Sequence, residues 1–193
     1  PTERLTAVTN TSLLTCHLPY LSDGSSNSHS IAVNGDVKSE PISPYDYGPY
    51  SDSNHGGSMY FDGTGDYLSV ASSSVFDYLE TDSDGTGGII EIYSDDSNYI
   101  RLFSASGPDL QLKCVSGGTT QVGIQSLAQS LNTWIHVAAV RNGSTMALYL
   151  NGTQVDTDSS FTIPSLSGAQ VLVGLDLVGT DRYFTGYISN ARI

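Results

Sequence analysis

Apolar and polar residues alternate in short runs along this chain, and the runs are separated by residues that turn the backbone; no long segment keeps a helical period. Residues 132–156 (NTWIHVAAVRNGSTMALYLNGTQVD) show the pattern best. Trp134 to Val140 is largely β-branched or apolar, Arg141-Asn142-Gly143-Ser144 supplies the positive-φ residues of a tight hairpin, and Met146 to Leu150 returns. Asn151-Gly152 then turns the chain into Thr153 to Val155. Loops this short leave no room for a helical crossover, so the three runs predict an antiparallel meander.

The same reading continues on both sides. Strands are predicted at residues 13–16 and 31–33, then at 59–61 and 67–70 around Asp62-Gly63-Thr64-Gly65-Asp66. Residues 88–93 and 99–103 flank a turn, residues 110–115 and 120–124 flank Ser116-Gly117-Gly118, and residues 169–174 and 184–193 close the set. About a dozen short strands with turn signals between them predict an all-β sandwich or barrel. Residues 1–10 are polar and read as a lead-in or linker, with one domain over 11–193, long enough to bury a core. Residues 40–57, with Pro41, Pro44 and Pro49 among Tyr45, Tyr47 and Tyr50, read as a long surface loop.

Several of these segments carry a resemblance. TWIHVAAVR followed by LYLNGTQV, the closing FTGYISNARI, MYFDGTGDYLSV at residues 59–70, and LLTC followed by Asp23 and Asn34-Gly35-Asp36 together resemble the laminin-G-like branch of the concanavalin A-like lectin/glucanase superfamily. The wording LLTC, VNGDV and YFDGTGDYL is most similar to copies in bacteriophage tail and appendage proteins, marine and cyanobacterial phages especially. The resemblance implies an antiparallel β-sandwich of jelly-roll type. It further implies a non-catalytic carbohydrate-binding or adhesion module, or else a structural spacer, in a multimeric virion or extracellular assembly. The expected partner is a cell-surface glycan or a neighbouring appendage protein.

Charge narrows the partners. A net charge of −13 opposes binding to a phosphate backbone, so nucleic acid is not an expected partner. No apolar run approaches the roughly 20 residues of a membrane helix, and no membrane insertion is expected. The chain starts at Pro1 without a signal-peptide pattern and reads as an excerpt of something larger. Cys16 and Cys114 lack metal-ligand spacing and are either bridged or buried as free thiols.

A glucanase needs two carboxylates at alternate positions on one face of a strand. Glu91 is the only acid on a core-like strand, which predicts a solvent-facing or edge residue and no hydrolase. His17, His29, His55 and His136 are isolated, and no nucleophile elbow is present. Calcium is the candidate cofactor, because laminin-G-like relatives commonly bind it at the sandwich rim. The oxygen donors here are Asp23 with Asn27, Asp62 with Asp66, and Asp82 with Asp84, although Asp and Asn also occupy turns simply to cap their own backbone. Ser189-Asn190 stands where relatives often carry an acidic pair. For sugar or protein contact, aromatic rings beside polar groups in loops point to Tyr45, Tyr47 and Tyr50, and to Asp176, Asp181, Arg182 and Tyr183.

Overall fold

The computed structural model describes residues 5–42, 56–71, 85–105, 109–126, 133–178 and 181–193. Among the described residues every regular element is a strand, and every strand pairing is antiparallel. The strands are β1 (Leu14–Thr15), β2 (Ile31–Asn34), β3 (Lys38–Glu40), β4 (Ser58–Asp62), β5 (Tyr67–Val70), β6 (Gly85–Asp95), β7 (Asn98–Ala105), β8 (Leu110–Ser116) and β9 (Thr119–Gln125). There follow β10 (Val137–Asn142), β11 (Thr145–Leu150), β12 (Thr153–Asp158), β13 (Gln170–Val173), β14 (Leu175–Asp176), β15 (Arg182–Tyr183), β16 (Thr185–Ile188) and β17 (Ala191–Arg192).

One seven-stranded sheet runs β2-β5-β13-β6-β7-β8-β9. Its registers align Val70, Val171, Ile92, Ile100, Cys114 and Val122 in one row, and Leu68, Val173, Ile90, Leu102, Leu112 and Ile124 in another row on the same face. Against this apolar face pack Met146 and Leu148 of β11 in one cluster, and Met59, Phe61 and Ile188 of β4 and β16 in a second. The opposing layer is therefore the β10-β11-β12 meander together with the β16-β4-β3 sheet, and the core lies between two sheets as in a sandwich. Both cysteines are free and buried, one in each cluster, and burial pushes the Cys16 thiol up to about 12.

The meander forms as its pattern predicts, with one shift. Asn142 is the last residue of β10 and pairs with Thr145, so the first loop is Gly143-Ser144, with positive φ at Gly143. The second loop is Asn151-Gly152, with positive φ at both residues, the requirement of a type I′ turn. The larger difference is at residues 59–70. The two runs are not a hairpin: β4 belongs to one sheet and β5 to the other, and Gly63 to Asp66 crosses between layers. The chain from β2 to β3 crosses beside it, through Gly35 and Asp36. Leu5, in the expected lead-in, donates its N–H to Asn190 Oδ1 at 3.1 Å.

Candidate functional site

Three arrangements of polar or aromatic side chains stand out. The first lies on the face of the seven-stranded sheet turned away from the core. Leu172, Glu91, Arg101 and Lys113 share one cross-strand row there, and the short β14–β15 pair folds over it. Glu91 and Asp176 have no exposed surface and Arg101 almost none. Arg101 Nε stands 3.6 Å from Glu91 Oε1, and its Nη1 donates to Asp176 Oδ1. Arg182 donates to Asp176 Oδ2 from Nε at 2.9 Å and from Nη2 at 2.8 Å. The Leu177 N–H reaches Glu91 Oε2 at 2.9 Å. Two acids and two arginines thus neutralise one another, Glu91 and Arg101 from the sheet and Asp176 and Arg182 from the β14–β15 cover, and the Arg101 guanidinium also lies 4.2 Å from the Tyr99 ring centroid.

This corrects two expectations. Glu91 is neither exposed nor on an edge strand, since β6 lies between β13 and β7. Asp176 is a buried ionic partner rather than a loop residue offered to a ligand. Of the expected group, Asp181 and Tyr183 remain at the surface and contact each other, Tyr183 OH to Asp181 Oδ2 at 3.4 Å.

The second arrangement is where the two layer crossings stack. Asp36, Asp62 and Asp66 bring carboxylate oxygens within 4.8 Å of one another, the one such group of His, Cys, Asp or Glu among the described residues. Asp66 is buried and ties the crossings together: its Oδ1 accepts the Asp36 N–H at 2.7 Å and its Oδ2 the Asp62 N–H at 3.2 Å. Asp62 Oδ1 accepts the Thr64 N–H at 2.6 Å. Lys38 Nζ sits 2.8 Å from Asp36 Oδ2, and that hydrogen bond, with the charges of Asp36, Asp66 and Asp62, raises the lysine above its ordinary pKa. Hard oxygen donors of this kind suit a divalent cation, yet an ammonium already supplies one positive charge. The turn pattern singled out Asp62 and Asp66; Asp36 joins them only through the second crossing.

Asp23 and Asn27 lie outside that group. The Asp23 carboxylate is filled by its own chain, accepting from Leu14 N at 3.1 Å, Ser25 N at 2.8 Å, Ser25 Oγ at 2.8 Å and His29 N at 2.8 Å. Partial burial pushes its pKa up, but these bonds outweigh burial and hold it below the ordinary value. Asn27 Nδ2 donates to the Ser12 carbonyl at 3.0 Å. Tyr45, Tyr47, Tyr50, Asp82 and Asp84 lie outside the described residues.

The third arrangement escaped the sequence reading. Tyr60 and Tyr187 are direct cross-strand partners on β4 and β16, with ring centroids 5.0 Å apart, and Trp134 lies 6.4 Å beyond Tyr187. Loop composition does not reveal it, because two of the rings sit on strands and all three come from distant segments.

Comparison with known proteins agrees with the fold. A family model described as the Concanavalin A-like lectin/glucanases superfamily, laminin-G type, matches residues 66–193. A sandwich with such a sheet and such loops is a lectin-like architecture, and the chain belongs to that superfamily. A search of curated proteins returned no match. Among solved structures, the botulinum neurotoxin type G receptor binding domain superposes with a TM-score of 0.64 at 14% identity, covering 95% of this chain and 47% of that one. The botulinum neurotoxin serotype C1 binding domain gives 0.62 at 15%, covering 94% and 48%. The receptor binding domain of the botulinum neurotoxin C/D mosaic serotype gives the same score, identity and coverage. At such identities the likeness is one of fold, and this chain spans about half the length of those chains.

Proposed function

We propose that this sandwich is a non-catalytic carbohydrate-binding module carried on a larger virion or extracellular appendage protein, where it attaches to cell-surface glycan. The observation that carries this reading is the state of the sheet acids. Glu91 and Asp176 are buried between the sheet and the β14–β15 pair and held by Arg101 and Arg182, so neither is free to attack an anomeric carbon or to protonate a leaving group. What remains is a binding scaffold within a lectin/glucanase superfamily. Solved chains of about twice this length that are named as receptor binding domains share this fold over about half of their length, which supports a module within a larger receptor-binding protein. Calcium is the proposed cofactor, and the Asp36, Asp62 and Asp66 carboxylates would hold it, with Lys38 displaced from Asp36.

Affinity electrophoresis through gels containing soluble polysaccharides, followed by a reducing-end assay on those same polysaccharides, tests both halves. Retarded migration with no new reducing ends is the expected result. Release of reducing ends would overturn the non-catalytic reading, and unretarded migration in every gel would turn the reading to an architectural spacer.

A further inference from the structure

The exposed face of the β16-β4-β3 sheet carries more aromatic surface than the sheet needs. Alternate residues of a strand share a face, so Tyr187 and Thr185 on β16, Tyr60 and Asp62 on β4, and Lys38 on β3 all project outward, opposite to the buried Met59, Phe61 and Ile188. The register sets Tyr187, Tyr60 and Lys38 in one row. Trp134, just before β10, extends that row past Tyr187. Trp134 is 39% exposed and Tyr187 44%. A cross-strand tyrosine pair by itself steadies a sheet. The tryptophan belongs to no strand of that sheet and adds a third ring at the open end of the pair.

We propose that Trp134, Tyr187 and Tyr60 form a stacking platform for an uncharged glycan, with Thr185, Asp62 and Lys38 placed to hydrogen-bond its hydroxyls. This rests on the carbohydrate-binding reading above and names the surface and the class of sugar. Pyranose rings present apolar C–H faces to aromatic rings and hydroxyls around their edge, and an aromatic row with a polar border complements both. The size of the row selects the occupant. Three part-exposed aromatic side chains of about 150–250 Å² each offer on the order of 200 Å² of free ring surface, whereas a stable protein interface needs about 800 Å² from each partner. Charge selects further: the one cation of the row is paired with Asp36 and the protein carries −13, so acidic sugars are repelled. Tilt completes the selection. Tyr60 and Tyr187 are inclined by 47°, Tyr187 and Trp134 by 49°, so the rings cannot lie together on a flat surface; they fit a single twisted chain in solution rather than an ordered, planar array.

Trp134 is the only tryptophan of the chain, which makes its emission a direct reporter of the platform. The test titrates the protein with soluble galactomannan, soluble xyloglucan and a sialylated oligosaccharide while following tryptophan fluorescence, with insoluble cellulose as a pull-down control. A saturable change with a neutral polysaccharide, absent with the sialylated sugar and with cellulose, is expected. Tyr187→Ala should weaken that binding by about tenfold or more, Tyr187→Phe should retain it, and Trp134→Ala should lose it by calorimetry, each variant keeping a cooperative melting transition, with Tyr187→Ala lowered only by the loss of one cross-strand pair. Undiminished binding in Tyr187→Ala and Trp134→Ala, with loss in Tyr47→Ala or Tyr50→Ala, would overturn the platform and keep the glycan reading. Preferential capture of the sialylated sugar or of cellulose would overturn the class assigned, and absence of binding to all of them would overturn both.

Discussion

Gly35 sits where the two crossings between sheets touch, and a single methyl group decides whether they can. It has φ of +76°, and a Cβ there would meet the Asp66 carboxylate and would lie 2.7 Å from the Gly65 carbonyl oxygen. Both the left-handed backbone and the close approach therefore demand glycine. Gly35→Ala is expected to cost about 2–4 kcal/mol, the sum of left-handed strain and a contact that backbone cannot relieve, measured by urea denaturation. A loss near zero would mean that the crossings do not pack as described. The glycine was legible as a turn residue because Asn34-Gly35-Asp36 is a local signal. Its partner was not, since the Asp66 carboxylate arrives from a separate segment, the one that follows β4.

At the scale of elements, what a segment does on its own was readable and what covers it was not. The β11–β12 turn follows from Asn151-Gly152, two adjacent residues that accept positive φ. The β4 and β5 runs stand on either side of a turn signal, and a four-residue link such as Gly63 to Asp66 suits a hairpin or a crossing between sheets alike, so the local pattern does not decide between them. Glu91 was misplaced for a related reason. Its alternation with Ile90 and Ile92 puts it on the outer face of the sheet, as read, but the β14–β15 pair returns from a distant part of the chain to bury it with Arg101 and Asp176. Arg101→Met is accordingly expected to cost about 3–5 kcal/mol at pH 7, because it removes the counter-charge that faces the buried Glu91 carboxylate, while Asp176 keeps Arg182. A carboxylate in that position is better buried neutral, so the folded variant takes up more protons than its unfolded chain. Its stability relative to wild type should therefore rise as pH falls from 7 toward 5. Denaturation at both pH values checks this, and a constant difference between the two would contradict the ionic account.

Across the whole molecule, acidity and aromatic surface converge on one outer region. The β16-β4-β3 face carries the aromatic row, and Asp62 and Lys38 of the same face border the Asp36–Asp66 corner. No single segment of sequence contains this region; it is assembled from residues 36–38, 60–66, 134 and 185–187 by the pairing of strands remote in the chain. If calcium enters the corner it must take Asp36 from Lys38. Lys38→Met should then tighten calcium binding by about tenfold by removing a repelling unit charge, as measured by titration calorimetry. Equal affinity in wild type and variant would place the cation elsewhere.

The most direct test of the account is a glycan-array screen of this domain, run in parallel with calcium and with a chelator. Binding to a coherent set of uncharged glycans, strengthened by calcium, is the result expected of a lectin-like attachment module. Silence across the array in both conditions would contradict it and leave the sandwich as a structural spacer.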